Sequence, residues 1–359
     1  MIQWREGVVT ALRREWRGAM ELDVATDGGQ LRALSYPALT GRPAPGDRVL
    51  LNTTALALGL GTGGYALVIA IPDRLPPDPG LAGHLVKARY TPLQAVVAGA
   101  DEQGSPSHEA LRDADDLGGM PVVVADLHSA LPAVLAGLRE HARPPSRPAR
   151  AAYVMLDGGA LPAWFSRTVA GLREAGWLAG TVTTGQAFGG DLETVTVHTG
   201  LLAARQVLGA EVAVVAPGPG NLGSGTRWGF SGVASGEAVN AAAVLGGRPV
   251  ASLRVSQADQ RERHRGVSHH SLTAYGRVAL ARADVAVPAL PGELGERVAG
   301  QAQPLAARHR LVRVELDGLL AALRECPVPL STMGRDLAGD EAAFLAAAAA
   351  GRHAARLLG

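Results

Sequence analysis

The chain contains one lysine, one cysteine and few aromatic residues. Of its 34 basic residues only Lys87 is a lysine, so nearly every cation is written as arginine. A guanidinium cannot be deprotonated in a protein, whereas a compact ammonium adjusts its pKa to its surroundings. Lys87 is therefore a candidate for a role that needs a tunable cation. Cys326 stands alone, which excludes an intrachain disulfide and a thiolate metal cluster. At 4% aromatics, the core has to be built from alanine, valine and leucine. No basic region followed by an apolar run opens the chain, so no secretory signal is expected. The longest uncharged small-residue stretch, Ala346–Ala350, is far too short to span a bilayer, so a cytoplasmic protein without a membrane partner is expected. A net charge of +1 calls for no polyanion, and nucleic acid is disfavoured as a partner.

What is present divides into two patterns. Residues 1–75 carry short apolar runs such as Gly7–Leu12, Met20–Val24, Arg48–Leu51 and Ala66–Ala70, separated by glycine and proline turns. These predict a small N-terminal β module of barrel type. Residues 72–80 are proline-rich and read as a stiff linker. Residues 76–359 then alternate strand and helix signals. Strands are predicted at Pro121–Ala125, Ala151–Leu156, Leu178–Thr183, Glu211–Ala216, Pro249–Val255, Val278–Val287 and Arg310–Leu316. Helices are predicted at Ala130–Ala142, Leu161–Ala175, Leu192–Leu208 and Glu237–Leu245. Near-continuous apolar strands bracketed by helices imply a doubly wound, mostly parallel α/β sheet covered on both faces. An alanine-rich helix over 340–358 ends the chain as a packing element or a subunit contact, which leaves a homo-oligomer open.

Ligands of open parallel sheets bind beyond the carboxyl ends of the strands, and five predicted strand ends here lead into polar residues. They are Asp126-Leu-His128-Ser129, Asp157-Gly-Gly159, the stretch from Thr184 to Asp191 and Glu193, the loop Pro217–Thr226, and Ser256–Asp259 followed by Arg261, Arg263, His264, Ser268, His269 and His270. Asp157-Gly-Gly159 is explained equally well as a tight turn. The loop Gly218-Pro-Gly220-Asn221-Leu-Gly223-Ser224-Gly225-Thr226 has dinucleotide-fingerprint spacing. No helix is expected at Gly223, however, and no acidic residue closes the next strand, so NAD and FAD are disfavoured. Backbone N–H groups and hydroxyls of such a loop suit a phosphate or carboxylate.

Asp126, His128 and His264 form an oxygen-plus-imidazole set suited to a divalent metal, with Asp157, His269 and His270 nearby. Two adjacent histidines in an extended segment diverge, so one of His269 and His270 is expected to be structural. Without a metal, a histidine oriented by Asp126 or Asp259 serves as general base. Ser129 and Ser268 lie near histidines, but no nucleophile elbow is present. Lys87 and Arg89, two apart in an extended segment, are expected to face one side and to suit an anion. Arg13, Arg14 and Arg17 with Trp4 and Trp16 read as a solvated face.

Four phrases carry a resemblance: His84–Pro92, Gly185–Asp191, Gly218-Pro-Gly220 with Gly225-Thr226, and Arg261–His264 with Ser268-His-His270. Together they resemble DUF3866, a bacterial family of proteins of unknown function. The resemblance implies a bacterial cytoplasmic protein and supplies no activity, substrate or cofactor. The residues themselves favour an enzyme, a hydrolase or group transferase acting on a small anionic or phosphorylated substrate. Lys87, Asp126, His128, Asp157, His264 and His269 are its candidate catalytic residues. Arg89, Asp191, Arg261, His270 and the loop from Gly218 to Thr226 would hold the substrate. The alternative is a non-catalytic metabolite-binding or assembly protein.

Overall fold

Short apolar runs at the N-terminus and continuous ones after residue 120 fold into different architectures. The computed structural model describes residues 1–61, 63–80, 83–140 and 147–359. It forms two units, Met1–Val97 with Trp164–Ala170, and Ala98–Ala163 with Gly171–Gly359.

The first unit is a closed five-stranded barrel of β1 (Trp4–Trp16), β2 (Ala19–Thr26), β3 (Gly29–Ser35), β4 (Arg48–Asn52) and β5 (Ala66–Ala70), ordered β1-β2-β3-β5-β4. Alternation points Val9, Leu22, Val24, Val49, Leu51 and Val68 inward. Register shifts between Val9 and Ala11 and between Leu12 and Glu15 bend the long β1 around two partners. The segment Trp164–Ala170 packs on this barrel. Trp16 donates its indole N–H to the Trp164 carbonyl at 2.7 Å, and the Trp164 ring lies 6.2 Å from that of Tyr36. Buried Glu21 accepts from the Tyr65 hydroxyl and from Arg167.

The second unit is a sheet of eight parallel strands: β6 (Pro121–Val124), β7 (Ala151–Leu156), β8 (Gly180–Thr183), β9 (Leu192–Glu193), β10 (Val212–Pro217), β11 (Arg248–Ser252), β12 (Asp284–Pro288) and β13 (Arg310–Val314). Their order is β9-β8-β7-β10-β6-β11-β12-β13. Val122, Val124, Val154 and Val215 share one face with residues of α2 (Val197–Gln206) and α3 (Ala234–Val244). The alternate residues point the other way. There α1 (Leu131–Glu140) and α6 (Glu341–Arg356) pack on each other and on the sheet. A Cβ on Gly137 would lie 1.9 Å from the Ala348 carbonyl oxygen, and one on Gly351 would lie 1.9 Å from that of Val134. The alanine-rich end of the chain thus lets two helix backbones approach closely.

The architecture is the expected α/β sheet behind a β barrel. Some element limits differ. The run Val278–Val287 is not one strand, because Ala274–Val278 forms a π-helical turn after α4 (His269–Thr273), and β12 begins at Asp284. Leu192–Leu208 is not one helix, because Leu192–Glu193 pair as β9 and α2 starts after the Thr196 side chain caps the Thr199 N–H. Residues 141 and 142 of the expected helix Ala130–Ala142 lie outside the described residues.

Candidate functional site

The strand order creates two gaps from which the connections of neighbouring strands lead away from each other. One lies between β7 and β10, the other between β6 and β11. Such gaps are where parallel sheets open at their carboxyl ends.

The β7–β10 gap is filled by backbone. A Cβ on Gly159 would lie 2.1 Å from the Gly218 carbonyl oxygen, and one on Gly218 would lie 2.5 Å from that of Ala160. The Ala160 N–H donates to the Pro219 carbonyl at 2.7 Å, lacing the two turns together. These glycines permit contact between loops. The rest of the glycine loop folds back as a hairpin in which Ser224 N–H donates to Gly229 and Gly223 bridges Phe230. Its tip, Gly223–Thr226, is exposed.

The β6–β11 gap holds side chains. Asp126, 2% exposed, follows β6, and Arg254 follows β11. Both line a cavity of about 30 Å³, room for roughly one water molecule, shared with Ser256, Thr332, Arg335 and Asp340. Both also reach His270. Its Nδ1 lies 3.7 Å from Asp126 Oδ2 and 3.2 Å from Arg254 Nη1. The Phe230 ring stacks on His270 with centroids 3.8 Å apart and planes 1° from parallel.

Beside His270 stand His264 and His269. The ring centroids are 5.0 Å apart for His264 and His269, 4.9 Å for His264 and His270, and 4.4 Å for His269 and His270. One ring nitrogen of each lies within 4.8 Å of the other two. Behind His264, the Ser268 hydroxyl lies 2.7 Å from Nδ1, and it also caps α4 by accepting from the His270 N–H. The expected divergence of His269 and His270 does not occur. They begin a helix, where successive side chains are 100° apart, not opposed. Asp126 Oδ2 and His269 Nε2 are buried without a hydrogen-bond partner.

Burial, followed by the cations Arg254 and Arg261, pushes His264 down to about 3. Burial and then His270 and Arg263 push His269 down to about 4. Both imidazoles are neutral at pH 7. Asp259 is held well below the usual carboxylate range by the Arg261 guanidinium, which grips it at 2.9 and 2.8 Å.

The other expected residues stand elsewhere. His128 is half-buried with Nδ1 3.0 Å from the Tyr153 hydroxyl, which itself donates to the Pro217 carbonyl at 2.9 Å. Burial pushes His128 down to about 4. It is outside the three-histidine group. Asp157 is exposed and accepts from the Gln186 N–H at 2.9 Å. Asp191 accepts from Arg173 and from the backbone and hydroxyl of Thr181, joining β8 to the start of β9. Asn221 donates to the Asp126 carbonyl at 2.8 Å, so the glycine loop reaches the β6–β11 gap through this one side chain. Lys87 and Arg89 belong to the first unit. Lys87 ends the strand Leu85–Lys87 and is buried, while Arg89 is exposed against the Tyr90 ring. A φ of 47° at Ala88 breaks the extended geometry, so the two cations do not share a face.

Sequence reasoning did not single out Arg254, Phe230, Arg335 and Asp340. Arg335 donates to Asp340 at 3.0 Å, and Asp340 accepts from Ser256 Oγ at 2.5 Å and from the Gln257 N–H at 3.0 Å, which fixes the turn after β11. Arg254 had a local signal as the only charge in the expected strand Pro249–Val255. Phe230 and Asp340 had none, because their partners are far away in sequence.

Taken together, the β6–β11 gap combines neutral imidazoles, a carboxylate with an unmet oxygen and a guanidinium facing a small cavity. That inventory supports proton transfer, metal ligation and anion binding. Among the described residues no helix is long and apolar enough to cross a membrane. No curated protein matches the chain. The family model described as "Protein of unknown function (DUF3866)" matches residues 32–351, and it spans the whole eight-stranded sheet and every residue of this gap. The chain belongs to the DUF3866 family.

Proposed function

We propose that the protein is an enzyme, a hydrolase or group transferase, acting on a small anionic substrate at the β6–β11 gap. The observation that carries this reading is the meeting of Asp126, Arg254, His264, His269 and His270 at one pair of strand ends. Groups with displaced pKa values gathered in a cleft mark functional sites more often than chance. Arg254 supplies the positive charge for an anionic group such as a phosphate or carboxylate, beside Arg261 and Arg335, which are already engaged by acids. The imidazole cluster activates the attacking water or hydroxyl.

The test is a turnover screen of the full chain on phosphate monoesters and diesters, carboxylic esters and phosphorylated metabolites. We expect turnover in one class, reduced at least about a hundredfold by Asp126→Asn with the fold retained. A ligand that raises the melting temperature equally in the parent and in Asp126→Asn, with no turnover of any class, would establish a binding protein instead.

A further inference from the structure

The ring centroids of His264, His269 and His270 all lie within 5.0 Å of one another. His269 Nε2 is buried with no partner, and Asp126 Oδ2, beside His270, is likewise unmet. Buried polar atoms are seldom left unpaired, so two unmet atoms within one cluster point to a binding partner.

We propose that His264, His269 and His270 bind one divalent transition-metal ion of the zinc class, with Ser268 and Asp126 positioning two of the rings. The reading rests on the proposed function and deepens it by naming what activates the nucleophile. Imidazole nitrogens suit zinc, copper, iron and nickel, and the single cysteine, Cys326, is not in the cluster. Metal–nitrogen bonds of about 2.0–2.1 Å in a tetrahedral arrangement set ligand nitrogens about 3.4 Å apart. The present separations, none above 4.8 Å, therefore close by at most about 1.4 Å. Small side-chain rotations cover that range.

Each ring has a reason to present one nitrogen. His264 is held at Nδ1 by Ser268, which directs Nε2 away from it. His270 Nδ1 lies 3.7 Å from Asp126 Oδ2 and accepts from the Arg254 guanidinium at 3.2 Å; metal at Nε2 puts the ring proton on Nδ1, so Arg254 must release that nitrogen and the unmet Asp126 oxygen accepts from it instead. A carboxylate behind a ligating histidine fixes the tautomer and raises ligand basicity. His269 offers the unpartnered Nε2 directly. Three protein ligands leave a fourth position open, the pattern of catalytic rather than structural zinc. Arg254, which lines the cavity with Asp126 and bonds His270, stands where an anion bound at that open position would be met.

The decisive experiment measures metal on the purified full chain after loading with zinc(II) and removal of the excess by desalting, followed by cobalt(II) substitution. We expect about one equivalent of zinc per chain. Cobalt should give the intense visible bands of a low-coordinate site with nitrogen ligands. His264→Ala and His269→Ala should each lose most of the metal, whereas His128→Ala should keep it. Asp126→Asn should retain the site with affinity lowered about 10- to 100-fold. Parent protein that retains neither zinc nor cobalt overturns the proposal, whatever the variants do. So does full retention in both His264→Ala and His269→Ala. Bound metal without turnover defeats only the enzyme reading. Turnover by protein that holds no metal and is insensitive to chelators defeats only this one.

Discussion

The two gaps of the sheet have the same topology and opposite contents. Between β7 and β10 the turns meet glycine to glycine, and backbone oxygens occupy the space where side chains would stand. Between β6 and β11, Asp126 and Arg254 stand two residues beyond their strands and border a small cavity. Topology alone therefore makes a gap available without making it a site. What decides is whether the turns after the strands meet through glycines, as Gly159 and Gly218 do, or carry polar side chains, as Asp126 and Arg254 do.

The largest expected effect comes from opening the closed gap. Gly159→Ala drives a Cβ into the Gly218 carbonyl, and it should cost about 3 kcal/mol in chemical denaturation, as overpacking against rigid backbone does. A cost below about 0.5 kcal/mol would show that the turns separate freely and that the contrast is not built in. Next is Arg254→Lys at the open gap. Losing the planar fork should weaken binding of an anionic substrate or product by about 2 kcal/mol, roughly thirtyfold, with little change in melting temperature. Equal affinity in isothermal titration would remove Arg254 from the site.

Smaller is the effect of Phe230→Leu, which removes the ring stacked on His270. It should cost about 1 kcal/mol of stability and loosen the histidine cluster. The smallest effect is a pH dependence at His128, between the two gaps. Its folded pKa, about 4, lies below the ordinary histidine value because of burial. The unfolded chain therefore takes up this proton first as pH falls. The stability it contributes is complete above about 6.5 and is lost progressively from there down to about 4. Melting curves across that window should decline by roughly 2 °C less in His128→Gln than in the parent. An identical slope in both would assign the acid sensitivity to other groups.

The fold was largely legible because its strands are written in continuous valine and alanine, as at Pro121–Val124 and Val212–Pro217, where burial on both faces leaves no choice of residue. Apolar runs mislead where helix and strand share composition, as in Ala274–Val287, where a π-helical turn, a loop and a strand follow one another. The site was legible as an inventory of strand ends, which named Asp126, His264, His269 and His270. Which histidines meet was not legible, because it depends on α4 starting at His269. The signal was Ser268, an N-cap residue directly before the pair. Phe230 and Arg335 join the site only through the order of strands, which a single sequence does not spell out.

The barrel has a consequence for the order in which the protein is made. Its five strands are complete by Ala70, yet the Trp16 indole finds its partner on Trp164, and the Glu21 carboxylate, already bonded by Tyr65, gains Arg167 from the same segment, encoded between β7 and β8 of the sheet. During synthesis, nearly a hundred residues must follow the last barrel strand before that covering segment emerges. A nascent barrel therefore waits with an unmet indole N–H and an apolar patch around Tyr36, and no cut of the gene between the two units yields a finished N-terminal piece.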